Sequence, residues 1–262
     1  MMPDVNPPNP IVFVHGLFGS FAAPETFDVL APASCSAPDL DGYGASAERH
    51  GITVAGQVAT LRAHIVSHHP GQRVHLVGHS IGAVYAFSVA DAVPDLVASV
   101  TAVEGNFTLA DAFWSRSIAA LDEEHARKVI NERLSDPVAF LAGDGIPPTD
   151  HHLAQATAAL AYQPWRTIWE SAIAIVDATS SPGYLAMVRR VFDRTKVFLL
   201  AGERSAGGWH VPEWARQAAT ASATVEGAGH MMMLEHPESV GRALGRLVQR
   251  QAALEGDVRT SR

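Results

Sequence analysis

Short, unbroken apolar runs alternate along this chain with stripes of apolar residues at helical spacing. Ile11-Val12-Phe13-Val14 has no polar position, as expected of a strand covered on both faces. A second short strand is predicted at 37–40. Val54, Val58, Leu61 and Ile65 then form one helical stripe that stops at Pro70-Gly71. Val74-His75-Leu76-Val77 reads as a buried strand and runs directly into a second stripe of Ile81, Val84, Tyr85 and Val89. Ser99-Val100-Thr101-Ala102-Val103 is the next strand. From about 108 to 190 the strand signal vanishes, and helical stretches take its place: Ile118, Leu121, His125 and Val129, then 153–161 and 165–176. Asp144-Gly145-Ile146-Pro147-Pro148 and Ser180-Ser181-Pro182-Gly183 break that block. Strand pattern resumes at 196–202 and 223–226, with a helix around 211–220 between them. Val240, Leu244, Leu247 and Val248 make the last stripe.

Strands alternating with helices imply an α/β fold with a mostly parallel sheet, here of about six strands. The pattern divides into 1–107 and 191–262, which build the sheet, and a helical insertion over 108–190.

At 262 residues, 47% hydrophobic and 18% charged, the chain can fill one large core. The net charge is −8, and Lys128 and Lys196 are the only lysines. No basic run marks a nucleic-acid surface, so no such partner is expected. No apolar run is long enough to span a membrane, and the first ten residues lack a signal-like apolar stretch. Cys35 is the single cysteine, which fits a reducing compartment; the expected location is cytoplasmic.

The candidate chemistry centres on Gly78-His79-Ser80-Ile81-Gly82, set between a strand and a helix. A sharp strand-to-helix reversal at Ser80 requires small neighbours two residues away on either side. It holds the hydroxyl out at the sheet edge, with the Ile81 amide at a helix N-terminus beside it. His15-Gly16 at the end of the first strand lets a loop turn tightly and aim a backbone N–H, that of Leu17, into the same region. His64 and His68 have metal-ligand spacing, but no third ligand accompanies them and a solvated helix face accounts for both. No metal is expected.

With His15-Gly16, Gly-His-Ser80-Ile-Gly and a late Gly227-Ala228-Gly229-His230, the chain resembles the α/β-hydrolase fold superfamily over about 10–250. The resemblance implies that Ser80 is a nucleophile and that His230, in the loop after the last strand, is its base. It also makes 108–190 a cap over the site. His79 is read as structural or pocket-lining. Family members usually carry an aspartate in Gly-x-x-Asp after the penultimate strand. Here that stretch reads Gly202-Glu203-Arg204-Ser205, with serine at the acid's place. In haloalkane dehalogenases and zearalenone-type lactone hydrolases the acid is a glutamate at the end of the strand after the nucleophile's, and Glu104 stands there. Glu104 is therefore the preferred acid and Glu203 the alternative.

A serine nucleophile removes the dehalogenase and epoxide-hydrolase options, which use aspartate at that position. The first reading is hydrolysis of a carboxylic ester or lactone without metal or organic cofactor, the oxyanion held by the amides of Leu17 and Ile81. Carbon–carbon bond hydrolase, perhydrolase, acyltransferase and ligand-receptor readings of the same fold stay open. Phe18, His79, Phe107, Trp114, Trp165, Trp169 and Trp209 are the expected substrate-binding residues, suiting a hydrophobic small molecule.

Overall fold

Every residue of Ile11–Val14, Val74–His79 and Val97–Val103 is buried, the polar His75, His79, Ser99 and Thr101 included, as expected of strands covered on both faces. The computed structural model describes residues 8–260, with side chains through Val248. The first seven residues, part of the stretch lacking a signal-like run, lie outside the described residues. Six strands form one sheet: β1 (Ile11–Val14), β2 (Cys35–Ser36), β3 (Val74–His79), β4 (Val97–Val103), β5 (Lys196–Gly202) and β6 (Ala221–Val225). Their order is β2-β1-β3-β4-β5-β6, and every neighbouring pair is parallel. Successive strand residues point to opposite faces. Val12, Val14, Leu76 and Val100 join a core on one face with helices α2 (Val54–His68) and α3 (Gly82–Ala92). Ile11, Phe13, Val77 and Val103 face α1 (Pro24–Leu30) and, at the end of the chain, α12 (Pro237–Thr260).

Seven helices follow in order between these: α4 (Phe113–Ala119), α5 (Glu123–Leu134), α6 (Pro137–Gly143), α7 (Asp150–Ala161), α8 (Trp165–Ser180), α9 (Pro182–Arg194) and α10 (Glu213–Ala218); α11 (Met232–Glu235) precedes α12. Four of them open on a side-chain cap, Ser181 accepting the Gly183 amide at the start of α9. Asp122, Asp136 and Thr149 accept the backbone amides of His125, Ala139 and His152, which sets where α5, α6 and α7 begin.

The structure differs from the sequence reading in three places. β2 lies at Cys35–Ser36, upstream of 37–40. Pro38 lacks the N–H a ladder needs, and the Asp39 carboxylate instead takes the Ala45 amide at 2.7 Å and the Tyr162 hydroxyl. α1 has too few apolar positions to show as a stripe, yet it buries Thr26 and Leu30. α9, most of which lies in the 108–190 stretch read as an insertion, packs on α3 and β5. Tyr184, Val188 and Val191 of α9 are buried against the same core as α3, and Arg190 pairs with Asp91 at the end of α3 at 2.8 Å. α9 is thus part of the layer covering the sheet.

Candidate active site

β1 and β3 are neighbours whose chains leave toward opposite halves of the sheet, and the crevice at such a reversal is where parallel α/β sheets bind ligands. Ser80 follows β3 there with φ +53°, a left-handed conformation unusual for a residue with a side chain. Its amide donates to Val103 O at 3.0 Å. The flanking glycines are required by space. A Cβ on Gly78 would sit 2.6 Å from Ala83 Cα, and one on Gly82 would sit 2.5 Å from His15 O. The Ile81 amide at the start of α3 and the Leu17 amide after β1 donate to no acceptor among the described residues.

Glu104 ends β4 and is the other non-glycine residue with positive φ among those described, at +42°. Its buried carboxylate is fully engaged: Oε2 accepts His230 Nδ1–H at 2.7 Å, and Oε1 accepts Gly202 N–H at 2.8 Å and the Ser205 hydroxyl at 2.5 Å. Burial alone pushes the Glu104 carboxyl up, but the hydrogen bond and charge of His230, with Ser205 and Gly202, outweigh it and leave it below its ordinary value. Burial likewise pushes the His230 imidazolium down, and the Glu104 hydrogen bond and charge, aided by Asp144, turn the net shift upward. The two other histidines here are held neutral. His79 is buried, and its Nε2–H donates to His230 O at 3.0 Å; His15 is pushed down by burial to about 4. Glu203 points elsewhere and accepts the Gly227 amide at 2.8 Å.

Ser80 and His230 open on one cleft of about 300 Å³, walled by Leu17, Phe18, His79, Trp114 and Phe140. Four expected lining residues lie outside it. Phe107 is fully buried against Phe87 and Phe192, because the chain after Glu104 turns back into the core. Trp209 is buried and donates its Nε1–H to Gly105 O at 2.7 Å, so it braces the backbone next to Glu104. Trp165 and Trp169 sit on α8, which packs against α4 and α5, and their rings lie 6.2 Å apart against the main core. His64 and His68 stack at 4.1 Å, with Ser36 Oγ 3.0 Å from His64 Nε2. Among the described residues no group of three metal-ligating side chains gathers.

Residues 11–243 match the Alpha/beta hydrolase family. The chain belongs to that family. Curated relatives of this chain include the triacylglycerol lipases of Vibrio cholerae, 38% identical over 110 residues, and Pseudomonas fragi, 37% identical over 108 residues. The first match spans 37% of this chain and 32% of the lipase; the second spans 38% and 36%. The chain thus covers about a third of each lipase's length. Among solved structures, a haloalkane dehalogenase loop variant from Bradyrhizobium elkanii superposes with a TM-score of 0.72 at 18% identity, covering 96% of this chain and 92% of that one. A thermophilic esterase from Thermogutta terrifontis superposes with a TM-score of 0.68 at 18% identity, covering 94% and 91%. These likenesses establish the α/β-hydrolase fold.

Several residues of the candidate site escaped sequence reasoning. Ser205 is a donor to Glu104, and only the departure from Gly-x-x-Asp pointed to it. Asp144 reads as part of an Asp-Gly chain break, yet its Oδ1 takes the His230 amide at 3.0 Å and its Oδ2 the Met231 amide at 2.8 Å. Arg133 is hidden in the polar helix Glu-Glu-His-Ala-Arg-Lys-Val-Ile-Asn-Glu-Arg-Leu, whose composition reads as a solvated face. It lines the cleft.

Proposed function

We propose that this protein hydrolyses a carboxylic ester or lactone through an acyl-enzyme on Ser80, with His230 as general base and Glu104 as the triad acid. The reading is carried by the 2.7 Å hydrogen bond from His230 Nδ1–H to Glu104 in a cleft that also contains Ser80. That bond puts the second proton of the imidazolium on Nε2, the nitrogen free to serve the serine, and stabilises the cation formed as Ser80 attacks. The tetrahedral oxyanion falls to the amides of Leu17 and Ile81; losing one donor of this kind costs about 10²–10³ in rate. The alcohol leaves with the proton held by His230, and water activated by the same histidine then releases the acid. Helices α4–α7 act as a cap over this chemistry, with Phe18, His79 and Trp114 touching the substrate. The lipase and esterase likenesses support ester chemistry in general. The lactone option rests on the position of Glu104, which is similar to that in zearalenone-type lactone hydrolases. No helix among the described residues is long and apolar enough to cross a membrane; together with the single Cys35 this supports a cytoplasmic site of action. A fluorophosphonate tests the nucleophile: intact-mass analysis is expected to show one adduct on the wild type and none on Ser80→Ala. An unlabelled wild type, or an adduct that survives in Ser80→Ala, contradicts the assignment.

A further inference from the structure

Arg133 is the one Arg or Lys side chain that lines the cleft, and the proposed acyl transfer gives it no task. Its guanidinium carbon lies 5.3, 5.1 and 5.5 Å from the ring centroids of Phe18, Trp114 and Phe140. Its Nε is buried and has no hydrogen-bond partner among the described residues. Arg49, Arg166, Arg190, Arg204 and Arg242 each pair with a carboxylate, whereas Arg133 pairs with none among the described residues. The two carboxylates that share its cleft are already engaged. Asp111 takes the amides of Phe107, Thr108 and His210, and Asp144 takes those of His230 and Met231. Burial pushes the pKa of the Arg133 guanidinium down.

A partly buried cation without a counter-charge is unfavourable, and aromatic faces offset only part of that cost. The arrangement makes physical sense when an anion completes it. A planar guanidinium fixed between rings is well suited to bidentate recognition of a carboxylate. We propose that Arg133 binds a carboxylate carried by the substrate, so that the ester or lactone presented to Ser80 is an anionic one with a short apolar or aromatic body. This rests on the serine-hydrolase reading above. The cleft, at about 300 Å³, lies at the small end of the range for ligand sites and fits a short body. On a chain of net charge −8, an unpaired cation in the cleft is also a local means of attracting an anion.

The test compares p-nitrophenyl hydrogen glutarate with p-nitrophenyl butyrate, which share a leaving group and differ in the terminal carboxylate. Wild type is expected to favour the glutarate by about tenfold or more in kcat/KM. Arg133→Gln is expected to bring that ratio toward unity through KM, and Arg133→Lys to restore part of it. A wild-type ratio near unity, or a ratio unchanged in Arg133→Gln, overturns the proposal. A second arm does not depend on turnover. Ser80→Ala is titrated with phenylacetate and with phenylacetamide, following tryptophan fluorescence. The carboxylate is expected to bind about tenfold or more tightly than the amide, and Ser80→Ala/Arg133→Gln to lose the difference. Equal binding of the two, or binding of neither, overturns the anion site. Selective binding of the carboxylate without hydrolysis of any ester leaves the anion site standing and removes the hydrolase reading instead.

Discussion

Ser80 and Glu104, the two non-glycine residues held at positive φ among those described, are the proposed nucleophile and acid. Each such conformation costs about 1–3 kcal/mol, and it survives only where the surroundings over-determine it. At Ser80 the surroundings are the bond to Val103 O and the tight approach of α3; at Glu104 they are the bond from its amide to Leu200 O at 3.0 Å and three donors on its carboxylate. A pH dependence follows at this scale. His230 must be neutral to accept the serine proton, and its pKa is held above the ordinary histidine value. The acid limb of kcat/KM is therefore expected above about pH 6.5. In Glu104→Gln the charge that favours the imidazolium is gone, so the limb is expected to move to lower pH even as the rate falls. A limb that stays in place, measured with an ester whose own hydrolysis is pH-independent over the window, contradicts the coupling of the two residues.

The loop between β6 and α11 is built as a cradle of acceptors around its amides. Glu203 takes Gly227 N–H, Glu235 takes Gly229 N–H at 3.3 Å, and Asp144 takes those of His230 and Met231. Arg204 ties the set together, bonding to Glu235 at 2.9 and 2.8 Å, to Asp144 O at 2.9 Å and to Gly227 O. Asp144 comes from the turn between α6 and α7, so the helical segment over the cleft sets the position of the base. Asp144→Ala is expected to lower kcat by about ten- to a hundredfold, the scale of a misplaced catalytic group, with a smaller change in KM. An unchanged kcat would mean the loop holds its shape unaided. The elements that the sequence revealed best are those whose instructions are local. Gly78-His79-Ser80-Ile81-Gly82 carries its own steric reason, and its strand and helix abut it. Asp144 and Arg133 act only after α5, α6 and the histidine loop have met, and neither residue type nor spacing announces that meeting.

At the scale of the molecule, the order β2-β1-β3-β4-β5-β6 places the ends of β3, β4 and β5 side by side. In register, His79 lies opposite Val103 and Val103 opposite Leu200, so Ser80, Glu104 and Gly202 leave the sheet along one edge. Apolar-rich runs made the central strands of this sheet legible in the sequence, while the short edge strand β2 was not. The aromatic wall was not legible: whether Trp165 and Trp169 face the cleft or the core depends on how α8 packs against α4 and α5, and the identity of the residue carries no such information. The preference for Glu104 over Glu203 came from the family resemblance alone, since both are glutamates at strand ends; the sheet order is what gives them different surroundings. The measurement that bears most directly on the account is kcat/KM for p-nitrophenyl butyrate in Ser80→Ala, Glu104→Gln and Glu203→Gln beside wild type. The account predicts losses of several orders of magnitude for the first two, and near wild-type activity for the third. A large loss in Glu203→Gln with Glu104→Gln little affected would contradict it.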